Sequence, residues 1–201
     1  MTAMMKRPVL DEASCNLIFR EARSHNGWLD RPVDDSLLRA AFDLAKMAPT
    51  SANCSPMRIL FLKSAESREK LKPALLGGNI PKTMSAPVTA ILGNDHAFYD
   101  HLPKLFPHED ARPWFTGNQA LIDMTAMRNG SLQGGYFILA CRAVGLDCGP
   151  ISGFDNAMVD DLFFQGTQIR SNFICNLGYG DPAALFPRSP RFEFEEVCTL
   201  L

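Results

Sequence analysis

The chain has 201 residues, 46% of them hydrophobic and 21% charged, with a formal net charge of -2 at pH 7. That length suits one domain with a sizeable core, and the near-neutral charge excludes the basic bias of a nucleic-acid or anionic-membrane binder. No apolar run approaches the roughly 20 residues of a membrane helix. The opening MTAMMKRPVLDE lacks the apolar stretch and small-residue cleavage site of a signal peptide, so a cytoplasmic protein is expected.

Residues 10–22 carry Leu10, Ala13, Leu17, Ile18 and Ala22 near helical spacing, which predicts an amphipathic helix. Arg23, Ser24 and His25 follow, then the turn pair Asn26-Gly27. These three residues fit either a cap on the helix C-terminus or an anion site in which Arg23 grips a phosphate. A second helix is predicted from residue 34 or 35 to 47, with Asp34 as N-cap and Leu37, Leu38, Ala41, Leu44 and Ala45 as its apolar stripe. MAPTSANCSPM then reads as a loop, RILFLK (58–63) as a strand, 64–76 as a serine-capped helix, and 79–84 as a short helix leading into the strand PVTAILGND.

Residues 96–117 are aromatic, proline-rich and histidine-rich, and suit a partly helical excursion or lid over a site. Residues 118–144 read as one long helix with apolar and small residues on more than one side, so burial on more than one side is expected. At about 1.5 Å per residue it spans about 40 Å. A dimer spine explains that length, unless Asn129-Gly130 breaks it into two helices. After GLDCGPISGFD come a helix over 156–164, the strand RSNFICNLGYG and the tail FPRSPRFEFEEVCTLL. Helices first, then strands separated by helices, indicate an α+β or α/β fold layered helix-sheet-helix.

Several chemistries lack their motifs. There is no phosphate-loop motif and no glycine-rich dinucleotide turn after a strand. GPISG fails as a hydrolase elbow because Pro150 stands where glycine is required. His96, His101 and His108, with nearby carboxylates, match no structural zinc spacing, and no metal is expected. The six cysteines include no C-x-x-C pair, and most sit among apolar neighbours as small core residues.

Four stretches in order resemble the nitroreductase family of flavin enzymes, in its HadB/RutE branch: Arg-Ser-His at 23–25, APTSANCSPM at 48–57, GLDCGPISGFD at 145–155 and RSPRFEFEEV at 188–197. Together they cover essentially the whole chain, 1–201, as a single FMN-binding domain. The stretches RNGSLQGGYFILACRAVGLDCGPISGFD and NLGYGDPAALFPRSPR look particularly like the malonic semialdehyde reductases of pyrimidine breakdown.

The resemblance implies a three-layer helix-sheet-helix sandwich in an intertwined homodimer, with FMN at the subunit interface and NADH or NADPH as reductant in a ping-pong sequence. It implies that Arg23, Ser24 and His25 hold the flavin's phosphate and ribityl chain. Arg191 would be a second cation there, with Arg188 as helper or surface charge. One charge-assisted hydrogen bond contributes roughly 1.5–3 kcal/mol, so a single guanidinium is too little for tight retention. Asn53 and Ser55 would line the flavin, although Ser55 stands where relatives have glutamine and Met57 where they have tryptophan. Asn79 and Lys82 resemble a pair at the ring edge, where a cation would favour the reduced, anionic ring; the plain reading is a capping asparagine and a solvated lysine. Pro150, Ile151, Ser152 and Gly153 would form the turn whose backbone approaches N5, with Ser152 replacing a common glutamate. The flavin's N5 itself would carry the hydride.

A carboxylate-bearing acceptor would need a further cation, and Lys104 or Arg112 could supply it. Trp114 and Phe115 could cover the ring or simply pack. The alternatives are a general nitroaromatic or quinone reductase on the same scaffold, and a flavin-binding protein without turnover.

Overall fold

A computed structural model describes residues 7–201. Residues 1–6, on which the expectation of a leaderless start partly rests, lie outside the described residues. In chain order the elements are α1 (Glu12–Cys15), α2 (Asp35–Ala45), β1 (Met57–Leu62), α3 (Ala65–Leu71), α4 (Ile80–Met84), β2 (Val88–Asp95), α5 (Leu102–Leu105), α6 (Gln119–Ala143), β3 (Asp147–Ile151), α7 (Asn156–Phe163), β4 (Ile169–Gly178) and α8 (Phe194–Val197).

The strands form one antiparallel sheet in the order β1-β2-β4-β3. Side chains alternate across a strand, and the alternation sorts them onto two helical layers. Ala90, Leu92, Cys175 and Leu177 pack with Leu38, Ala41 and Ala45 of α2 and Phe137, Ala140 and Cys141 of α6. Ile91 and Ile174 face the other way, against Leu71 of α3 and Val159 of α7. Each fully buried Leu, Ile or Phe contributes roughly 1.5–3 kcal/mol relative to exposure. The result is the three-layer α+β sandwich that the sequence implied. Cys54, Cys141, Cys148 and Cys175 are buried as core residues, whereas Cys198 is exposed.

Two local expectations are corrected. The helix expected over 10–22 is only the short α1, capped by the Asp11 carboxylate, running into a π-turn over Asn16–Arg20. The chain leaves the helix because the free edge of β3 has backbone groups to satisfy. Ser24 bridges Cys148 in parallel, and the His25 N–H donates to the Cys148 carbonyl at 2.9 Å. The π-turn ends at Arg20 with Glu21 as its C-cap, so Arg23, Ser24 and His25 lie beyond it and the helix-cap reading falls. The turn expected at 150–153 begins as strand, since β3 carries both Pro150 and Ile151. The long helix expected over 118–144 is present as α6, which runs unbroken through Asn129-Gly130. The Asn129 side chain donates to the Thr125 carbonyl and accepts from the Ser51 N–H, each at 2.8 Å.

Within one chain only one side of α6 is buried. Its other side leaves Met124, Met127, Leu132 and Tyr136 between 42% and 53% exposed. In the 96–117 segment, Phe98, Leu102, Ala111 and Phe115 pack against Cys54, Ile122 and Ala126. Phe115 therefore packs, while Trp114 remains largely exposed. Among the described residues no helix is long and apolar enough to cross a membrane.

Candidate functional site

A cleft of about 620 Å³ lies where the segment after α1, the last turn of α6 and the C-terminal tail meet. Its cationic lining is Arg20, Arg23, Arg142, Arg188 and Arg191, with Ser24 and Asn26 beside them and no carboxylate. The tail is laced to the segment by reciprocal hydrogen bonds. Arg23 Nη2 donates to the Phe186 carbonyl at 2.5 Å, and Arg188 Nη2 donates to the Ala22 carbonyl at 3.2 Å. Arg191 Nη1 donates to the Ser189 and Pro190 carbonyls at 3.0 Å.

Arg142 and Arg20 escaped the sequence reading. Arg142 Nη1 donates to the Ile18 carbonyl at 3.1 Å, while its buried Nε has no partner. Such an orphaned donor carries a cost of about 1–3 kcal/mol unless something accepts from it. No local signal marks Arg142, because a cation in the last turn of a helix already has a purpose. Guanidinium groups match the geometry of phosphate oxygens in two-point contact. A cleft with five of them and no acid therefore fits a phosphate monoester.

His25 is placed differently from its neighbours. Its ring is buried, with Nε2 3.3 Å from Asp147 Oδ1, and Asp147 Oδ2 accepts from the Gly180 N–H at 2.8 Å. A Cβ at Gly180 would lie 1.8 Å from His25 Nδ1, so only glycine allows this approach. The imidazole thus braces β3 against the turn at Gly180, while the chain on its N-terminal side supplies the cleft.

Asn79 and Gly153 come together. Asn79 Nδ2 donates to the Gly153 carbonyl at 2.8 Å, and a Cβ on Gly153 would sit 2.5 Å from that nitrogen. Asn79 occupies the N-cap of α4 without making a side-chain cap bond, so its side chain serves the Gly153 turn instead. Lys82 is half-buried rather than solvated, with Nζ 3.4 Å from Asn26 Oδ1 at the rim of the arginine cleft. Pro150, Ile151 and Ser152 line a shallow groove with Ser131, Gly135 and Ile138 of α6. Pro150 is tolerated in β3 because this is an edge strand.

The 50–55 loop lines neither of these places. Ala52, Asn53 and Ser55 adopt positive φ of 49°, 49° and 39°, a left-handed backbone that L-residues rarely hold and that costs of order 1–3 kcal/mol each. Local bonds hold it: Asn53 Nδ2 donates to the Leu105 carbonyl at 2.7 Å, and the Ser55 N–H donates to Thr50 Oγ1 at 3.2 Å. Cys54 inside the loop is fully buried, and desolvation pushes its thiol up to about 11. Met57 is buried in the core, with its N–H bonded to Gln133 Oε1 at 2.9 Å. Within one chain the sequence-predicted residues therefore divide among the arginine cleft, the Gly153 turn with its groove, and the 50–55 loop.

The histidines of the 96–117 segment are engaged elsewhere. His96 Nδ1 lies 2.7 Å from Asp123 Oδ1, and His108 stacks edge-on to Phe106. Among the described residues no group of three or more His, Cys, Asp or Glu could hold a metal ion.

A three-layer α+β protein with an acid-free arginine cleft beside the edge of its sheet is the class that fold and site define. The nitroreductase family model matches residues 19–179, and the chain belongs to the nitroreductase family. It is 61% identical to a protein of Burkholderia lata provisionally named NADH dehydrogenase/NAD(P)H nitroreductase, over 95% of this chain and 98% of that one. A Ralstonia pickettii protein of the same provisional name, HadB, is 59% identical over 91% of this chain and 95% of that one. The structure of a provisionally assigned nitroreductase from Exiguobacterium sibiricum in complex with FMN has a TM-score of 0.81 at 18% identity, covering 97% of this chain and 99% of that one.

Proposed function

We propose that this chain, 1–201 as a single domain, is an FMN-dependent NAD(P)H oxidoreductase that works as a homodimer. We further propose malonic semialdehyde, a metabolite of pyrimidine breakdown, as its acceptor. Per turnover, one NADH or NADPH and one proton are consumed. The aldehyde carbon gains the hydride, the oxygen gains the proton, and 3-hydroxypropanoate results. FMN, when bound, would take the hydride from the nicotinamide and pass it to the acceptor in a ping-pong sequence.

The observation that carries this reading is the cleft with five arginines and no acid. Arg23, Arg188 and Arg191 would hold the phosphate, with Arg142 turning its unpartnered Nε toward it and Ser24 adding a hydroxyl. Lys82 and Asn79 would meet the ring edge. The backbone from Pro150 to Gly153 would approach the ring face, Ser152 through its N–H and Gly153 because Asn79 already occupies the space a side chain would need.

A homodimer accounts for two further features. The exposed side of α6, together with exposed Phe186, Phe192, Phe194 and Val197 in the tail, offers apolar surface that a second copy would cover. A two-fold arrangement could also bring Asn53 and Ser55 of one copy to the cleft of the other. The loop's strained backbone suits a site held ready for a ligand.

The deciding experiment is the visible absorption spectrum of the purified protein, with FMN added and then dialysed. Two flavin bands that stay with the protein support the reading, and acceptor screening then starts with malonic semialdehyde beside a quinone and a nitroaromatic. A colourless protein that cannot retain FMN would overturn it.

A further inference from the structure

A separate cavity of about 250 Å³ opens between α2, the start of β1 and the 96–117 segment. Lys46, Arg58, His101 and Lys104 surround it, over an apolar floor that includes Met57 and Leu105. Most of this charge is already matched. Arg58 Nη2 donates to Asp95 Oδ2 at 2.6 Å, and its Nη1 serves the Ser55 and Met57 carbonyls at 3.0 Å. Lys46 Nζ lies 2.5 Å from Asp43 Oδ1, and His101 Nε2 lies 3.8 Å from the Asp95 oxygen that Arg58 holds. Lys104 has neither a hydrogen bond nor an ion pair among the described residues. Lys46, Arg58 and Lys104 stand against two carboxylates, Asp43 and Asp95, and the surplus positive charge resides on Lys104. The other cation of the segment, Arg112, is held by Asp100 at 2.7 Å.

We propose that this cavity is a carboxylate subsite for a short-chain acid acceptor, with Lys104 as its specificity-determining residue. The proposal deepens the oxidoreductase reading and rests on it through Ser55, which lines this cavity and stands on the loop expected at the flavin. An apolar floor with one unmatched ammonium at the rim suits a small amphiphilic acid: the carbon chain covers Met57 and Leu105, and the carboxylate meets Lys104. Arg58 cannot take that role without abandoning Asp95, an acid that is itself buried and would be left without its guanidinium.

The test titrates the flavin-loaded protein with malonate, a carboxylate probe that cannot be reduced, by calorimetry. The parent should bind it. Lys104→Gln should weaken binding about tenfold, Lys104→Arg should restore most of it, and Arg112→Gln should match the parent. Absence of malonate binding in the parent, or equal affinity in the parent and Lys104→Gln, would overturn the proposal. So would an equal loss in Arg112→Gln. Flavin content measured on the same preparations separates the two readings. Retained flavin without Lys104-dependent malonate binding sinks the subsite alone. Lys104-dependent binding in a protein that holds no flavin supports the anion site and sinks the oxidoreductase reading.

Discussion

Replacing Arg23 with alanine probes the phosphate assignment most directly. Arg23 is half-buried, lines the acid-free cleft and holds the Phe186 carbonyl at 2.5 Å. A charge-assisted hydrogen bond to a ligand contributes about 1.5–3 kcal/mol, which corresponds to about a 10- to 150-fold rise in Kd for FMN. The loss should fall short of abolition, because four guanidinium groups remain around the cleft. Arg191→Ala should weaken FMN by a similar factor, and the double variant should depart from additivity because both side chains would serve one ligand group. The assay is quenching of flavin fluorescence on titrating apoprotein into FMN, repeated at low and high salt, since part of the attraction is screened. Arg112→Ala, on the far segment and paired with Asp100, serves as control. An Arg23→Ala protein of unchanged circular dichroism that binds FMN as tightly as the parent would refute the assignment.

Gly180→Ala should destabilise the fold by about 2–3 kcal/mol through overpacking, because the new Cβ would start 1.8 Å from the buried His25 ring. Calorimetry should show Tm lower by about 5–10 °C, and an unchanged Tm would mean that the ring moves aside at no cost. Cys54, with its thiol pushed up to about 11 by burial, should resist iodoacetamide at about pH 8 in the native protein, where the exposed Cys198 reacts; mass spectrometry of the labelled peptides decides. An unfolded chain would lose that proton near the ordinary thiol value of about 8.5, whereas the folded chain keeps it to about 11. The Cys54 contribution should therefore lower stability as pH rises through that window, and leave it unchanged below it. Cys54→Ser should keep NAD(P)H turnover largely intact.

The parts of the fold that depend on periodicity were legible in advance. Asp34 caps α2, and Leu38, Ala41 and Ala45 fall on its buried face, because a helix stripe and its cap are written locally. Strand β3 was not legible: Asp-Cys-Gly-Pro-Ile carries two residues that usually mark a turn, and only its place at the sheet edge makes the proline acceptable. The π-turn over Asn16–Arg20 likewise follows from the need to reach β3, which residues 10–22 do not encode alone. At the site, Arg23, Arg188 and Arg191 were nameable from the resemblance, and the fold gathers them across more than 160 positions of sequence. Arg142 joins them only in three dimensions, through a contact with Ile18 that spans 124 positions.

The reciprocal bonds between Arg23 and the Phe186 carbonyl, and between Arg188 and the Ala22 carbonyl, have a thermodynamic corollary. A guanidinium carries five N–H donors, and each of these two gives one to the other segment, so the same side chains could hold a phosphate and the tail together. Linkage requires such coupling to act both ways. An anion held by both Arg23 and Arg188 would fasten residues 186–188 to residues 22–23. Conversely, anything that pins the tail in its present position, a second copy of the chain included, would lower the concentration of anion needed to fill the cleft. The C-terminal segment can thereby report on occupancy of the cleft, through its rate of amide exchange or its sensitivity to carboxypeptidase.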